Sequence, residues 1–301
     1  MTLQQLKYVV TVANKGTISE AAKELFVSQP SLTKAIKELE EEMNISIFTR
    51  TNKGVVVSNE GDMFLGYARQ VLEQTNLLEE KYKKGDNFTR HFSVSTQHYS
   101  FAVNAFVDLI KKFGGEKYDF ILRETQTNEI IEDVRRLKSE IGILYTSSTN
   151  KTVIEKLIKE NGLKFVELFT AMPHVFISSN HPLAKKDIVE MEDLTDYPYL
   201  SYEQGNSNSF YFSEEILSTI GRNKNIKVSD RATLFNLAIG LNGYTVSSGV
   251  IDKELNGENI IARPLNVDEY IKIGVVLQKN MSLSIYGEFY LEALKKYTPK
   301  S

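Results

Sequence analysis

Apolar residues in the N-terminal part of the chain recur every three or four positions, in short runs separated by polar turns. Leu3, Leu6, Val10 and Ala13 form the buried stripe expected of a first helix over Thr2 to Asn14. Thr2 and Gln5 have capping-box spacing, and Gly16 ends the helix. Ile18, Ala21, Ala22 and Leu25 predict a second helix, capped by Thr17 with Glu20 three residues on. Leu32, Ile36, Leu39 and Met43 predict a third. Phe26 to Pro30 is too short for another element, so the second and third helices must cross sharply as a helix-turn-helix. At about 100° per residue, Ser31, Lys34, Lys37 and Glu38 fall on the outer face of the third helix. Ser28, Gln29, Pro30, Ser31, Thr33, Lys34 and Lys37 give its N-terminal half hydroxyls, an amide and lysines suited to base edges and phosphates. The acidic run Glu38, Glu40, Glu41 and Glu42 lies at the far end. An αα-hairpin inside an all-helical core would account for the same apolar stripe.

The period then changes. Ile45 to Arg50 and Val55 to Ser58 are rich in β-formers and joined by Thr51-Asn52-Lys53-Gly54, a hairpin in which Arg50 and Lys53 can touch phosphates or simply stay solvated. Ser58 caps a long helix to about Lys84, whose stripe includes Leu65, Ala68, Leu72 and Thr75; a second copy of the same helix is its expected partner. Lys81, Lys83, Lys84, Gly85, Asp86 and Asn87 read as a hinge. Beyond His91, strands at Phe92 to Thr96, Tyr118 to Glu124 and Ile141 to Tyr145 alternate with helices at Tyr99 to Phe113 and Glu129 to Lys138. Such alternation implies βαβ units and a parallel sheet. A second round has strands at Lys164 to Thr170, His174 to Ser178, Tyr199 to Ser201, Ile226 to Ser229 and Tyr244 to Ser247, with helices at Ser209 to Ile220 and Ala232 to Gly240. Strands at Ile260 to Pro264 and Ile271 to Gln278 and a helix from Ser282 to Tyr297 close the chain.

The run A-A-x-x-L-x-V-S-Q-P-S-L-T-x-x-I-x-x-L-E (Ala21 to Glu40) and the I-F-x-R at Ile47 to Arg50 resemble the LysR-type transcriptional regulators. Looser echoes follow in S-x-I-G-I-L (Ser139 to Leu144), H-P-L-A (His181 to Ala184), M-E-D-L-x-D-Y-P (Met191 to Pro198) and A-I-G-L-N-G-Y (Ala238 to Tyr244). The resemblance implies an α/β protein overall. It would comprise an all-α winged helix-turn-helix (1–58), a dimerisation linker helix with hinge (59–87) and a two-lobed effector domain similar to periplasmic binding proteins (88–301). The expected lobes are 88–162 with 265–301, and 163–264. It also implies double-stranded DNA carrying an interrupted palindrome as partner, RNA polymerase as another, and a dimer through the linker helix that can extend to a tetramer. Glu124-Thr125-Gln126-Thr127 and Val246-Ser247-Ser248 depart from the family pattern where ligands would bind, so the effector's identity does not carry over.

Composition narrows the function. With 301 residues, 42% hydrophobic and 25% charged, the chain is long enough for two domains. A net charge of −3 is low for a DNA binder, and residues 1–58 hold seven Lys/Arg against six Asp/Glu, only +1. Affinity must therefore come from the placement of charges. The absence of cysteine excludes disulfides, thiolate metal sites and peroxide sensing through a thiol. No run of 18 apolar residues and no signal-peptide pattern occurs, so a cytoplasmic protein with no membrane partner is expected.

Catalysis is not expected. G-x-S-x-G, H-E-x-x-H and P-loop patterns are missing, and the four histidines share no metal-ligand spacing, so neither metal nor cofactor is expected beyond a small-molecule effector. For that effector the strand ends are the candidates: Ser95, Thr96 and Gln97 opening a helix, Thr125 and Thr127 beside them, then Tyr202, Gln204, Asn206, Val246 and Ser247 from the other lobe. Together they suggest a small polar, anionic metabolite held between the lobes, although hydroxyl and amide residues also cap helices routinely. An enzyme or transport-type binder that uses its N-terminal helices only for assembly is the competing reading.

Overall fold

The computed structural model describes residues 1–51, 54–82, 90–115, 117–205, 209–251 and 257–298. Lys53, Asn206 and the hinge residues 83–87 lie outside them, as do the side chains of Arg50 and Lys81. Two compact units divide at Asp86/Asn87.

In the first unit, α1 (Leu3–Lys15) opens on the Thr2/Gln5 capping box and stops at Gly16, whose φ of 71° is left-handed. Helices α2 (Ile18–Glu24) and α3 (Gln29–Met43) follow, capped by Thr17 and Ser28. Strands β1 (Phe48–Thr51) and β2 (Gly54–Val57) pair antiparallel, and α4 runs over Asn59–Tyr82. One core joins these elements through Val9, Val12, Ala21, Ala22, Leu32, Ile36, Leu39, Ile47 and Leu65. Full burial of a leucine such as Leu32 or Leu39 contributes about 1.5–3 kcal/mol. The stripe of α1 is centred on Leu6, Val9 and Val12, with Val10 and Ala13 only half-buried and Leu3 exposed. This helix packs against α2, α3 and α4 together, so it buries a broader and slightly rotated face. Met43 is exposed because it lies in the last turn of α3, before the left-handed Asn44 cap.

Gly54 explains why the hairpin sits where it does. At φ 134° it takes a conformation that side chains avoid, and a Cβ there would lie 2.4 Å from the Gly16 carbonyl oxygen. Val55 donates its N–H to that same oxygen at 2.9 Å, pinning β2 to the end of α1.

The second unit is built on a five-stranded sheet ordered β4-β3-β5-β12-β6, where β3 is Arg90–Thr96, β4 Tyr118–Glu124, β5 Ile141–Thr146, β6 Leu163–Ala171 and β12 Ile271–Gln278. The pairs β3–β4 and β3–β5 are parallel, whereas β12 runs antiparallel to both its neighbours, so the sheet is mixed and not the parallel one expected. Helices α5 (Ser100–Phe113), α6 (Thr127–Arg135), α7 (Lys151–Glu160) and the closing α9 (Ile285–Lys296) accompany it, and the buried Tyr290 of α9 donates to the Ala102 carbonyl of α5 at 2.9 Å. Because β6 stands in this sheet, the chain crosses to the second lobe after Ala171, not at 162/163.

In the second lobe, β7 (His174–Ser178) lies between β10 (Thr245–Ser247) and β11 (Ile260–Pro264), while β8 (Tyr199–Tyr202) and β9 (Asn225–Val228) pair in parallel. A bridge between Tyr199 and Tyr244 joins the two sets, and α8 (Arg231–Leu241) packs on them. The helix expected over Ser209 to Ile220 is instead a short 3-10 turn, Phe210–Phe212, followed by turns. Glu214 and Glu215 both point inward there, held by the N–H groups of His98 and Tyr202. Helix α7 was not foreseen.

Candidate functional site

Three surfaces hold the candidate residues. The first is the outer face of α3. The Ser28 hydroxyl accepts the Ser31 N–H at 3.2 Å and lies 2.7 Å from the Ser31 hydroxyl, fixing the first turn. From α2, Ser19 donates to the Gln29 side-chain oxygen at 3.0 Å, so the amide is oriented by the helix behind it. Gln29, Pro30 and Ser31 are exposed and Thr33 is half-buried. Lys34 and Lys37, 78% and 74% exposed, pair loosely with Glu38 at 3.7 Å and Glu41 at 3.4 Å. Exposed pairs of this kind are worth at most about 1 kcal/mol, so both lysines can exchange a carboxylate for a phosphate at little cost.

The acidic run at the end of α3 is thereby absorbed. Glu42 takes the N-terminal ammonium at 2.5 Å, and Glu40 accepts the N–H groups of Ile47 and Phe48 at 2.7 and 3.1 Å. A residue that the pattern did not single out also stands here. Phe26, at φ 52°, leaves its ring 96% exposed in the turn before α3. The signal was present, since a large apolar residue in the short turn between two helices has no helical stripe to join.

The second surface is α4. Leu65 and Ala68 are 1% and 2% exposed within the single chain, so they have no surface left to bury against a second copy. Leu72 and Thr75 are half-buried, and Thr75 donates to the Val71 carbonyl at 2.8 Å. The exposed stripe is another one, formed by Met63, Tyr67, Val71 and Leu78 at helical spacing.

The third is the cleft between the lobes of the second unit. Ser95, Thr96 and Gln97 are fully buried, and their side chains are committed inside the first lobe. Ser95 donates to Asp133 at 2.7 Å, and Thr96 turns back to the Gln97 carbonyl at 2.8 Å. Gln97 donates to the Thr127 hydroxyl at 2.6 Å and accepts from the Tyr99 hydroxyl at 2.8 Å and the Tyr145 N–H at 3.0 Å. All three are bonded inside the lobe and expose no surface to a ligand. Thr125 donates to Glu129, Val246 is buried in the apolar core, and Ser247 pairs in register with His174.

Across the cleft, the second lobe supplies acceptors to the first. The Gln204 side-chain oxygen accepts the Thr127 N–H at 3.1 Å, at the N-terminus of α6. The Glu214 carboxylate accepts both the backbone N–H of His98, at 3.1 Å, and its ring Nδ1–H, at 2.9 Å. Tyr202 stacks on the His98 ring at 3.8 Å, and Arg231 meets Glu124 at 3.1 Å. Burial pushes the His98 imidazole down. The hydrogen bond and charge of Glu214, helped by Glu124, more than offset this, and its pKa lies above the ordinary value. His98, Glu214, Glu124 and Arg231 were not anticipated as a set, because their pairing depends on the approach of two lobes.

The family motifs have structural roles. His181 accepts the Leu183 N–H on Nδ1 at 3.0 Å, which leaves Nε2–H to donate to the Asn242 carbonyl at 3.0 Å. H-P-L-A is thus tied to A-I-G-L-N-G-Y.

Residues 3–62 match the family model of the bacterial regulatory helix-turn-helix protein, lysR family. Residues 95–297, more than half of the chain, match the LysR substrate binding domain. The chain belongs to the LysR family of transcriptional regulators. It is similar to the HTH-type transcriptional regulator AlsR of Bacillus subtilis (strain 168), 27% identical over 83% of this chain and 78% of the relative. It is also similar to the HTH-type transcriptional regulator YbhD of Escherichia coli (strain K12), 26% identical over 97% and 90%. In fold it resembles a full-length OxyR variant from Pseudomonas aeruginosa, with a TM-score of 0.70, 20% identity and 99% of each chain covered. This LysR-family chain is therefore a DNA-binding transcriptional regulator with a substrate-binding domain. Among the described residues, no helix is long and apolar enough to cross a membrane, and no group of three or more His, Cys, Asp or Glu could hold a metal ion.

Proposed function

We propose that the chain is a cytoplasmic, non-enzymatic regulator that binds an interrupted palindrome as a dimer, inserts α3 into the major groove and acts on transcription through RNA polymerase. The apolar stripe Met63, Tyr67, Val71 and Leu78 is the seam to the second copy, and two dimers can join as a tetramer through the second unit. Gln29 and Ser31 read base edges, Lys34 and Lys37 meet phosphates, and Phe26 lies against the adjoining sugar or thymine methyl.

The effector is a small anion that enters between the lobes. One observation carries this reading: the N–H groups of His98 and Thr127 face the second lobe, and each is held by an oxygen of that lobe, from Glu214 and Gln204. An anionic ligand would bring the same oxygens and compete for the same donors. The side chains of Thr96 and Gln97 shape this turn but do not touch the ligand. Sensing through a thiol is closed to this chain, which has no cysteine.

Gel-shift titration on promoter-sized DNA with and without an inverted repeat tests the first half. Equal affinity for both would refute sequence-specific binding by a dimer. Repeating it over a panel of organic acids, with wild type and Glu214→Gln, tests the second. An anion whose effect is the same in both proteins does not compete with Glu214.

A further inference from the structure

The second lobe holds a cavity of its own, of about 470 Å³, and its lining among the described residues comes from the second lobe. Alternation along β8 makes one of its walls. Leu200 points into the core with Val228 and Leu234, while Tyr199 and Ser201, on the other face, line the cavity. Ser213 and Arg222, from the chain between β8 and β9, and Asn225 of β9 complete a wall rich in hydroxyl, amide and guanidinium groups.

Two residues of this wall carry a buried donor atom that has no hydrogen-bond partner among the described residues. One is the Tyr199 hydroxyl, in a residue only 4% exposed. Arg222 is fixed on three sides: Nε donates to the Tyr244 hydroxyl at 3.1 Å, Nη1 to the Leu217 and Ile220 carbonyls at 3.0 and 3.2 Å, and its guanidinium lies 3.8 Å over the Tyr199 ring. Its Nη2 has no partner among the described residues. A buried donor without an acceptor is destabilising, and a guanidinium held this firmly by backbone carbonyls presents its unused edge in one direction. Both donors belong to one cation–π pair.

We propose that this cavity is a second ligand site, contained within the lobe, for a small organic carboxylate bearing further hydroxyl or amino groups. Its carboxylate accepts from Arg222 Nη2 and the Tyr199 hydroxyl, and its other polar groups meet Ser201, Ser213 and Asn225. Tyr202 and Gln204 line the same cavity, and these residues reach across to His98 and Thr127. Occupancy of the cavity therefore bears on the contact between the lobes.

The test uses the full-length protein. Binding of acetate, lactate, succinate, citrate and inorganic phosphate is followed by calorimetry and thermal shift in wild type, Tyr199→Phe, Ser201→Ala and Glu214→Gln. Tyr199→Phe removes only an unpartnered hydroxyl, so its unliganded melting temperature should equal or exceed that of wild type. It should weaken a bound carboxylate about tenfold, the loss expected of one hydrogen bond to a charged group. Glu214→Gln, which changes the group that competes for the inter-lobe donors, should bind that carboxylate as wild type does. The proposal falls if none of the carboxylates binds at millimolar concentration, if Tyr199→Phe and Ser201→Ala bind as wild type, or if phosphate binds as well as the carboxylates. Altered binding in Glu214→Gln with unchanged binding in Tyr199→Phe would place the anion between the lobes and overturn the second site while sparing the first.

Discussion

The outer face of α3 and the cleft of the second unit carry similar residues, yet they dispose of them in opposite ways. On α3, the amide and hydroxyls stand exposed and the lysines hold only loose partners. In the cleft, the amide of Gln97 and the hydroxyls of Ser95 and Thr96 are buried and spent on the protein itself. A surface that meets DNA must keep its donors available to a large partner that brings its own acceptors. A cleft that closes on itself keeps its donors satisfied while empty, so a ligand must exchange bonds instead of filling vacancies.

Leucines on α4 break the comparison most severely. Leu65→Glu puts a carboxylate into the core of the first unit and should cost several kcal/mol, unfolding that unit as seen by circular dichroism. Leu78→Glu, on the exposed stripe, should leave the fold intact and dissociate the proposed dimer in sedimentation. If Leu65→Glu remained folded and merely became monomeric, the assignment of the two stripes would be reversed.

Amides give the next largest contrast. Gln97→Ala strands the Tyr99 and Thr127 hydroxyls and the Tyr145 N–H, and should destabilise the second unit by about 3 kcal/mol in urea titration. Gln29→Ala should change stability by less than about 0.5 kcal/mol yet cost about 1–3 kcal/mol at a specific base pair. Equal melting behaviour of the two variants would erase the distinction. Lysines sharpen it further: Lys34→Ala and Lys37→Ala should each reduce the log–log salt slope of DNA binding by about one.

The smallest effect expected is one of pH. Since the folded pKa of His98 is raised, its bond to Glu214 contributes stability that is fully present below the unfolded value of about 6.5 and is lost as pH rises through the folded value. Charged groups acting on the ring include Glu214, Glu124 and Arg231. Melting temperature of the wild type should fall over that window, and Glu214→Gln should flatten the fall. A wild-type curve that rises there would contradict the pairing.

How much of this was legible varied with how local its cause was. The N-terminal helices declared themselves because Leu32, Ile36 and Leu39 repeat at a helical period between a serine cap and a turn. Helix α7 has an equally regular pair in Ile154 and Ile158, but its start carries no side-chain cap: Asn150 instead accepts the Ser147 N–H at 2.8 Å. The cleft residues were legible as a polar set at strand ends. Which way each points was not, because Thr127, Tyr145 and Glu214, which hold Gln97 and His98, lie 30 to 116 residues away. Glu214 and Glu215 were misread for the same reason. Their apolar neighbours suggest a helix, and only the distant His98 and the Tyr202 N–H draw both carboxylates inward.

Glu40 makes α3 and the hairpin a calliper of fixed opening. One carboxylate oxygen receives the N–H groups of Ile47 and Phe48 just where the first strand of the hairpin begins. In the proposed docking of α3 in the major groove, the distance from that helix to the hairpin is thus set by protein bonds before DNA arrives. Duplexes whose groove spacing departs from that gauge must bend or twist to fit, and the energy of doing so depends on sequence at base pairs the protein never touches. Loosening the jaw, as Glu40→Ala would, should flatten preference at those untouched positions first, before affinity for the contacted bases declines.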